Sequence, residues 1–168
     1  VDDALFVRVP LSRAEQLMCV SAGDHVPSEV RFVPRADLLA EQKLIQGRRE
    51  GHEYDVEHQG DCAETGRLII RSNRNQPNFD LLETPLATPD EVHWQMLLPG
   101  DESHYLLGHV AFADALIVCL RINGLDQIKI VSGNGSHVID FPEPAYSVDL
   151  GTNPNYRTST LRLAYTSM

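Results

Sequence analysis

The chain has 168 residues, a formal net charge of −10 and a sequence pI near 5.0. That acidity excludes a basic nucleic-acid surface, and no apolar run approaches the roughly 18 residues that a membrane-spanning helix needs. A hydrophobic content of 42% with 23% charged residues excludes a disordered chain.

Proline and glycine punctuate the sequence every 8–14 residues, and the stretches between them are rich in Val, Ile, Leu, Phe and Tyr. Such stretches read as short strands. In chain order they cover 4–11, 16–21, 28–34 and 42–46, then 52–58, 67–72, 79–84 and 93–97. A third set covers 104–112, 115–121, 126–132 and 136–141, and a last pair covers 146–150 and 160–167. The segment 37–42 admits either a helical turn or a loop. Asn123-Gly124 is a strong signal for a tight hairpin.

Four apolar runs, opened by Leu17, Leu68, Leu116 and Leu161, recur 45 to 51 residues apart. A period of that size with several strands per unit is the mark of propeller blades. The pattern predicts an all-β fold, a partial β-propeller in one incomplete domain. Three four-stranded antiparallel blades fall at about 1–47, 52–98 and 104–141, and half of a fourth at 146–168. A β-sandwich is the rival, because it also spaces its strands regularly, but it requires no repeating anchor. Blades pack on both faces, so their inner strands should be almost continuously apolar. Leu68-Ile69-Ile70 and Leu116-Ile117-Val118 fit that rule. The start at Val1 and the strand-like run just before Met168 give the expectation of a piece of a longer protein.

Chemistry is sparse. His52-Glu53-Tyr54-Asp55-Val56-Glu57-His58 is the most loaded stretch. On a strand, His52, Tyr54, Val56 and His58 share one face and Glu53, Asp55 and Glu57 the other. The two histidines then stand roughly 20 Å apart, too far for one metal. No metal site and no cofactor is expected. No G-x-S-x-G elbow is present. Ser103-His104 and Ser136-His137 are sequence neighbours, which on a strand point to opposite faces. Cys19, Cys62 and Cys119 form no C-x-x-C pair, which favours a reducing, cytoplasmic compartment. Trp94 reads as a packing anchor of an outer strand.

The stretch 51–58 resembles the propeller of the prolyl oligopeptidase family of serine peptidases, in its oligopeptidase B branch. The likeness continues through Arg71-Ser72-Asn73-Arg74-Asn75-Gln76-Pro77-Asn78-Phe79-Asp80-Leu81, and returns at 28–31, 123–125, 150–154 and 161–168. The segment 62–66 departs from it by lengthening a hairpin, with an effect expected on a surface loop only. The resemblance implies a parent enzyme with an α/β-hydrolase domain bearing a Ser-Asp-His triad and a seven-bladed propeller covering it. The family cuts short peptides after Arg or Lys, and its propeller excludes folded proteins. No stretch of this sequence matches the hydrolase domain, so no catalytic residue is assigned and the segment alone is not expected to be catalytic. The likeness to the prolyl-cleaving relatives implies that the turn holding Asp24 and His25 lines a substrate-facing rim. Expected partners are the hydrolase domain of the same protein and short basic peptides, with dimerisation through open blade faces or edges if the segment stands alone. The alternative is a stand-alone β-rich module binding peptide or carbohydrate.

Overall fold

The computed structural model describes residues 6–23 and 27–167. Strands β1 (Phe6–Arg8), β2 (Leu17–Gly23), β3 (Pro27–Pro34) and β4 (Lys43–Gln46) form a first antiparallel sheet, ordered as in the chain. A second sheet repeats that order with β5 (Tyr54–Gln59), β6 (Arg67–Ser72), β7 (Asp80–Pro85) and β8 (Gln95–Leu98). A third does so with β9 (His104–Ala111), β10 (Ala115–Ile122), β11 (Leu125–Ser132) and β12 (Gly135–Val138). Then β13 (Tyr146–Leu150) pairs with β14 (Leu163–Ser167). No strand ladder joins one sheet to the next among the described residues. This is the architecture of a partial β-propeller: consecutive meanders stacked face to face.

Period-2 alternation does the stacking. On β6, Leu68 and Ile70 point to the first sheet and join Leu17, Val30, Phe32, Ile45 and Tyr54 in one core. Ile69, between them, points the other way and joins Leu106, Leu116 and Val118 of the third sheet. On β10, Ile117 in turn faces Val148 of the fourth sheet. The two continuous apolar runs are therefore strands divided between two cores. They are the second strands of their sheets. The first strands, β5 and β9, are more polar and bury His58 and His109. The last strands β8 and β12 are the most exposed of the second and third sheets, whereas in the first sheet β1 is exposed throughout and β4 buries Ile45.

Local chemistry sets the turns. Asn123 and Gly124 have φ of 52° and 82°, the two left-handed residues of a type I′ hairpin, closed by the pair Ile122 and Leu125. Gly100 has no room for a side chain, because a Cβ there would stand 2.2 Å from the Phe79 carbonyl oxygen. The segment 37–42 forms turns, with the Leu39 N–H bonded to Asp37 Oδ1. The stretch at 91–93 is one 3-10 turn, so β8 begins only at Gln95.

The hairpin at 60–66 lies at the surface, with Glu64, Thr65 and Gly66 exposed. Ala63 packs against the first core, and the Gly60 N–H is bonded by the Tyr156 hydroxyl at 2.9 Å. Gly60 and Asp61, just before the inserted residues, tie the second sheet to the loop before β14 through Tyr156 and Arg157.

Ile69→Ala empties a site that is fully buried between two sheets. We expect a loss of about 2–5 kcal/mol in urea unfolding, against less than about 0.5 kcal/mol for exposed Val92→Ala.

Candidate functional site

In the second sheet the turn 73–79 after β6 and the links before β5 and after β8 lie at one end. Asp24 and His25, the expected rim residues, lie outside the described residues.

The segment 52–58 alternates as its sequence pattern requires. Tyr54 points to the first sheet, where its hydroxyl donates to the Gln46 carbonyl at 2.5 Å and accepts the Val30 N–H at 2.7 Å. Burial raises the phenol above its ordinary value despite those two bonds. His52 stacks on Tyr54 with ring centroids 5.2 Å apart, and its Nε2 meets Ser72 Oγ at 2.8 Å. Trp94 leans on both rings and donates its indole N–H to the Pro89 carbonyl, so it is a packing anchor just before β8. His58 sits at the far end of β5, with Nε2 3.4 Å from the Thr65 carbonyl. The two histidines have separate partners.

The opposite face of β5 meets the third sheet. Asp55 pairs with Arg71 across the ladder, Oδ2 to Nε at 2.7 Å. Arg71 also donates to the Leu106 carbonyl at 3.0 Å and lies 4.2 Å over the Phe79 ring. His109 is wholly buried beside them, with Nε2 3.1 Å from the Ile69 carbonyl and Nδ1 3.3 Å from Asp55 Oδ1. With its Nε2–H given to Ile69, the neutral ring turns a bare Nδ1 toward Asp55, close but without a hydrogen bond. Burial lowers the His109 pKa, and Asp55 opposes the shift without overcoming it.

The turn 73–79 explains its own asparagines. Asn73 Oδ1 accepts the Glu53 N–H at 2.8 Å and its Nδ2 donates to Gly51 O, holding the link from the first sheet. Asn78 Nδ2 donates to Asp101 O at 2.7 Å and its carbonyl accepts the Leu106 N–H, holding the link to the third. Arg74 and Arg49 converge on Glu91, the latter at 2.8 Å. The motif is a clamp between successive sheets.

Asp101, Ser103 and His104 bring the residue types of a hydrolytic triad together in the wrong order. Ser103 Oγ donates to Asp101 Oδ1 at 2.6 Å, while His104 Nδ1 meets Asp101 Oδ2 at 2.6 Å. The acid stands between the hydroxyl and the imidazole, so no base activates the serine. The hydrogen bond from Ser103 holds the Asp101 carboxyl below its ordinary value. Among the described residues no group of three or more His, Cys, Asp or Glu is arranged to hold a metal.

Sequence pattern alone does not bring Arg71, Asp55 and His109 together. The one signal it carries is an arginine closing the apolar run Leu68-Ile69-Ile70, since a charge on a buried strand needs a partner.

Residues 1–168 match the family described as prolyl oligopeptidase, N-terminal beta-propeller domain. The chain is 29% identical to dipeptidyl aminopeptidase BI of Pseudoxanthomonas mexicana over 99% of its own length and 22% of that protein's. It is also 29% identical to protease 2 of Moraxella lacunata, over 99% of itself and 23% of the relative. Among solved structures it superposes on oligopeptidase B of Trypanosoma brucei, in a closed form with covalently bound antipain, with a TM-score of 0.88. That match has 22% identity and covers 99% of this chain and 25% of the other. Oligopeptidase B of Leishmania major gives 0.83, with 21% identity, covering 98% of this chain and 24% of that one. The chain thus spans under a quarter of the length of these curated relatives.

Burial lowers the pKa of His52, His58 and His109 below the ordinary 6.5. Each favours the folded state fully above 6.5, and that contribution is lost as pH falls toward the folded values. Glu57, raised to about 7 by burial, acts in the opposite sense from its ordinary 4.5 upward. The histidine contribution predicts that, between pH about 7 and about 5, the melting temperature of the unmodified protein loses more on acidification than that of His109→Gln. An unchanged slope in the variant would remove His109 from the account.

Proposed function

We propose, from the premise that this chain belongs to the prolyl oligopeptidase family through its propeller domain, that it shapes access to a serine peptidase site carried elsewhere in the same protein. The observation that carries the reading is the match of all 168 residues to the propeller family, in relatives several times as long. The clamped sheets support it. A rigid, face-stacked wall sets a size limit on what reaches a site beneath it, and closure over a site commonly governs turnover.

The likeness of the run at 52–58 to the oligopeptidase B branch supports short peptides with Arg or Lys as the substrate class. The net charge of −10 supports steering of such cations, because an acidic surface raises their local concentration. The three free cysteines, two of them with thiols raised to about 11 by burial, fit a reducing cytoplasm. Asp24 and His25 are proposed for the substrate-facing rim on the family likeness.

The test uses the full-length protein. We expect cleavage of a short Arg or Lys peptide and none of a folded protein carrying the same site, with the difference reduced when Asn73 and Asn78 are both changed to Ala. Equal cleavage of both substrates by the unmodified enzyme would overturn the barrier role. For the rim, Asp24→Asn is expected to lower kcat/KM for an Arg peptide at low salt and to converge with the unmodified enzyme at high salt. Equal values across the salt series would remove Asp24 from substrate steering.

A further inference from the structure

At one end of β5 a direct polar bridge ties the first sheet to the second. There Tyr54 gives its hydroxyl hydrogen to Gln46 and takes the Val30 N–H. Toward the other end of β5 the two sheets border a cavity of about 100 Å³. Its lining includes Ser12 and Arg13 from the turn before β2, Cys19 from β2, Glu57 and His58 from β5, and Leu68 from β6. Two of these residues carry a buried polar atom with no hydrogen-bond partner among the described residues: His58 Nδ1 and Glu57 Oε2. His58 is 2% exposed, so bulk solvent does not reach its ring. Leaving a buried polar atom unpaired is costly, and native structures rarely do it.

The chemistry of the lining selects what can pair with these two atoms. His58 Nε2 faces the Thr65 carbonyl at 3.4 Å, which draws the ring hydrogen to Nε2 and makes Nδ1 an acceptor. A carboxylate oxygen is an acceptor too. Two acceptors exclude an anion, and the Arg13 guanidinium in the same lining works against a metal ion or other cation. What remains is a small neutral donor. The lining also holds hydrogens to match. Ser12 Oγ accepts the Gln16 and Leu17 N–H groups at 3.3 and 3.1 Å, which leaves its own hydrogen to donate. Arg13 gives Nε and one terminal nitrogen to the Ala111 and Asn153 carbonyls and keeps further N–H groups. Water both donates and accepts, and at about 30 Å³ per molecule the cavity takes about three.

We propose that this cavity is a hydration site, in which ordered water takes a hydrogen from Ser12 or Arg13 and gives hydrogens to His58 Nδ1 and Glu57 Oε2. The bridge ties the turn 9–16 of the first sheet to β5 of the second. A water-mediated bond is nearly as good in enthalpy as a direct one. The seam between the two sheets is thus held by a phenol at one end of β5 and by water toward the other. Where Glu57 carries a proton on Oε2, the same water accepts it, so the bridge stands in either state.

A high-resolution crystal structure of the full-length protein tests this. We expect solvent peaks within about 3.2 Å of both His58 Nδ1 and Glu57 Oε2, linked to Ser12 Oγ or an Arg13 nitrogen directly or through one more water. The double variant Glu57→Met, His58→Leu removes both acceptors with little change in volume. Its structure should lose those peaks, while Ser12 keeps its bonds to the Gln16 and Leu17 amides. A cavity without solvent density would overturn the site. So would a protein group bonded to either atom in place of water, a peak at one of the two atoms alone, or peaks unchanged in the double variant. If the double variant does not fold, the structure of the unmodified protein decides by itself, since every result but the last is read from it.

Discussion

Burial of both faces of a four-stranded sheet is the constraint on which the rest of this structure depends. A meander with one wet face can stand alone, but Leu68 and Ile70 on one side of β6 and Ile69 on the other each need a neighbouring sheet. The same division recurs on β10, where Leu116 and Val118 face backward and Ile117 forward. Each core is therefore shared property of two sheets. A chain built this way has no independent blade, and its stability is a sum over interfaces.

That constraint leaves polar residues with a particular task. Where sheets stack without a ladder between them, their registry has to be fixed by side chains. Tyr54 does this toward the first sheet through Val30 and Gln46, and Arg71 toward the third through Leu106. Asn73 and Asn78 fix the links on either side of one turn. The residues that carry the family likeness are thus positional, holding walls at a set separation. The access role proposed above draws on the rigidity they supply.

Much of this is legible in the amino-acid sequence. The strands follow from alternation and turn residues, and the alternation of His52 to His58 follows from period 2 alone. Boundaries are less so: β14 begins at Leu163, three residues after the expected start at 160, where Arg162 and Asn153 bond across the preceding loop. The long-range partners are not legible. Nothing near Arg13 in sequence announces acceptors at Ala111 and Asn153, because the stacking of successive sheets, a property of the whole fold, brings them together. The contact between Tyr156 and the 60–66 hairpin is hidden for the same reason. His109 and Asp55 are remote in sequence and each reads locally as an ordinary strand residue.

The central claim is that the sheets are mutually dependent through shared cores. The most direct measurement is native-state hydrogen exchange across a denaturant series, comparing β6 with β10 in the full-length protein. Shared cores predict that amides of Arg67–Ser72 and Ala115–Ile122 merge onto one opening free energy and one denaturant dependence. Two well-separated opening free energies, with one sheet exchanging freely while the other stays protected, would contradict it.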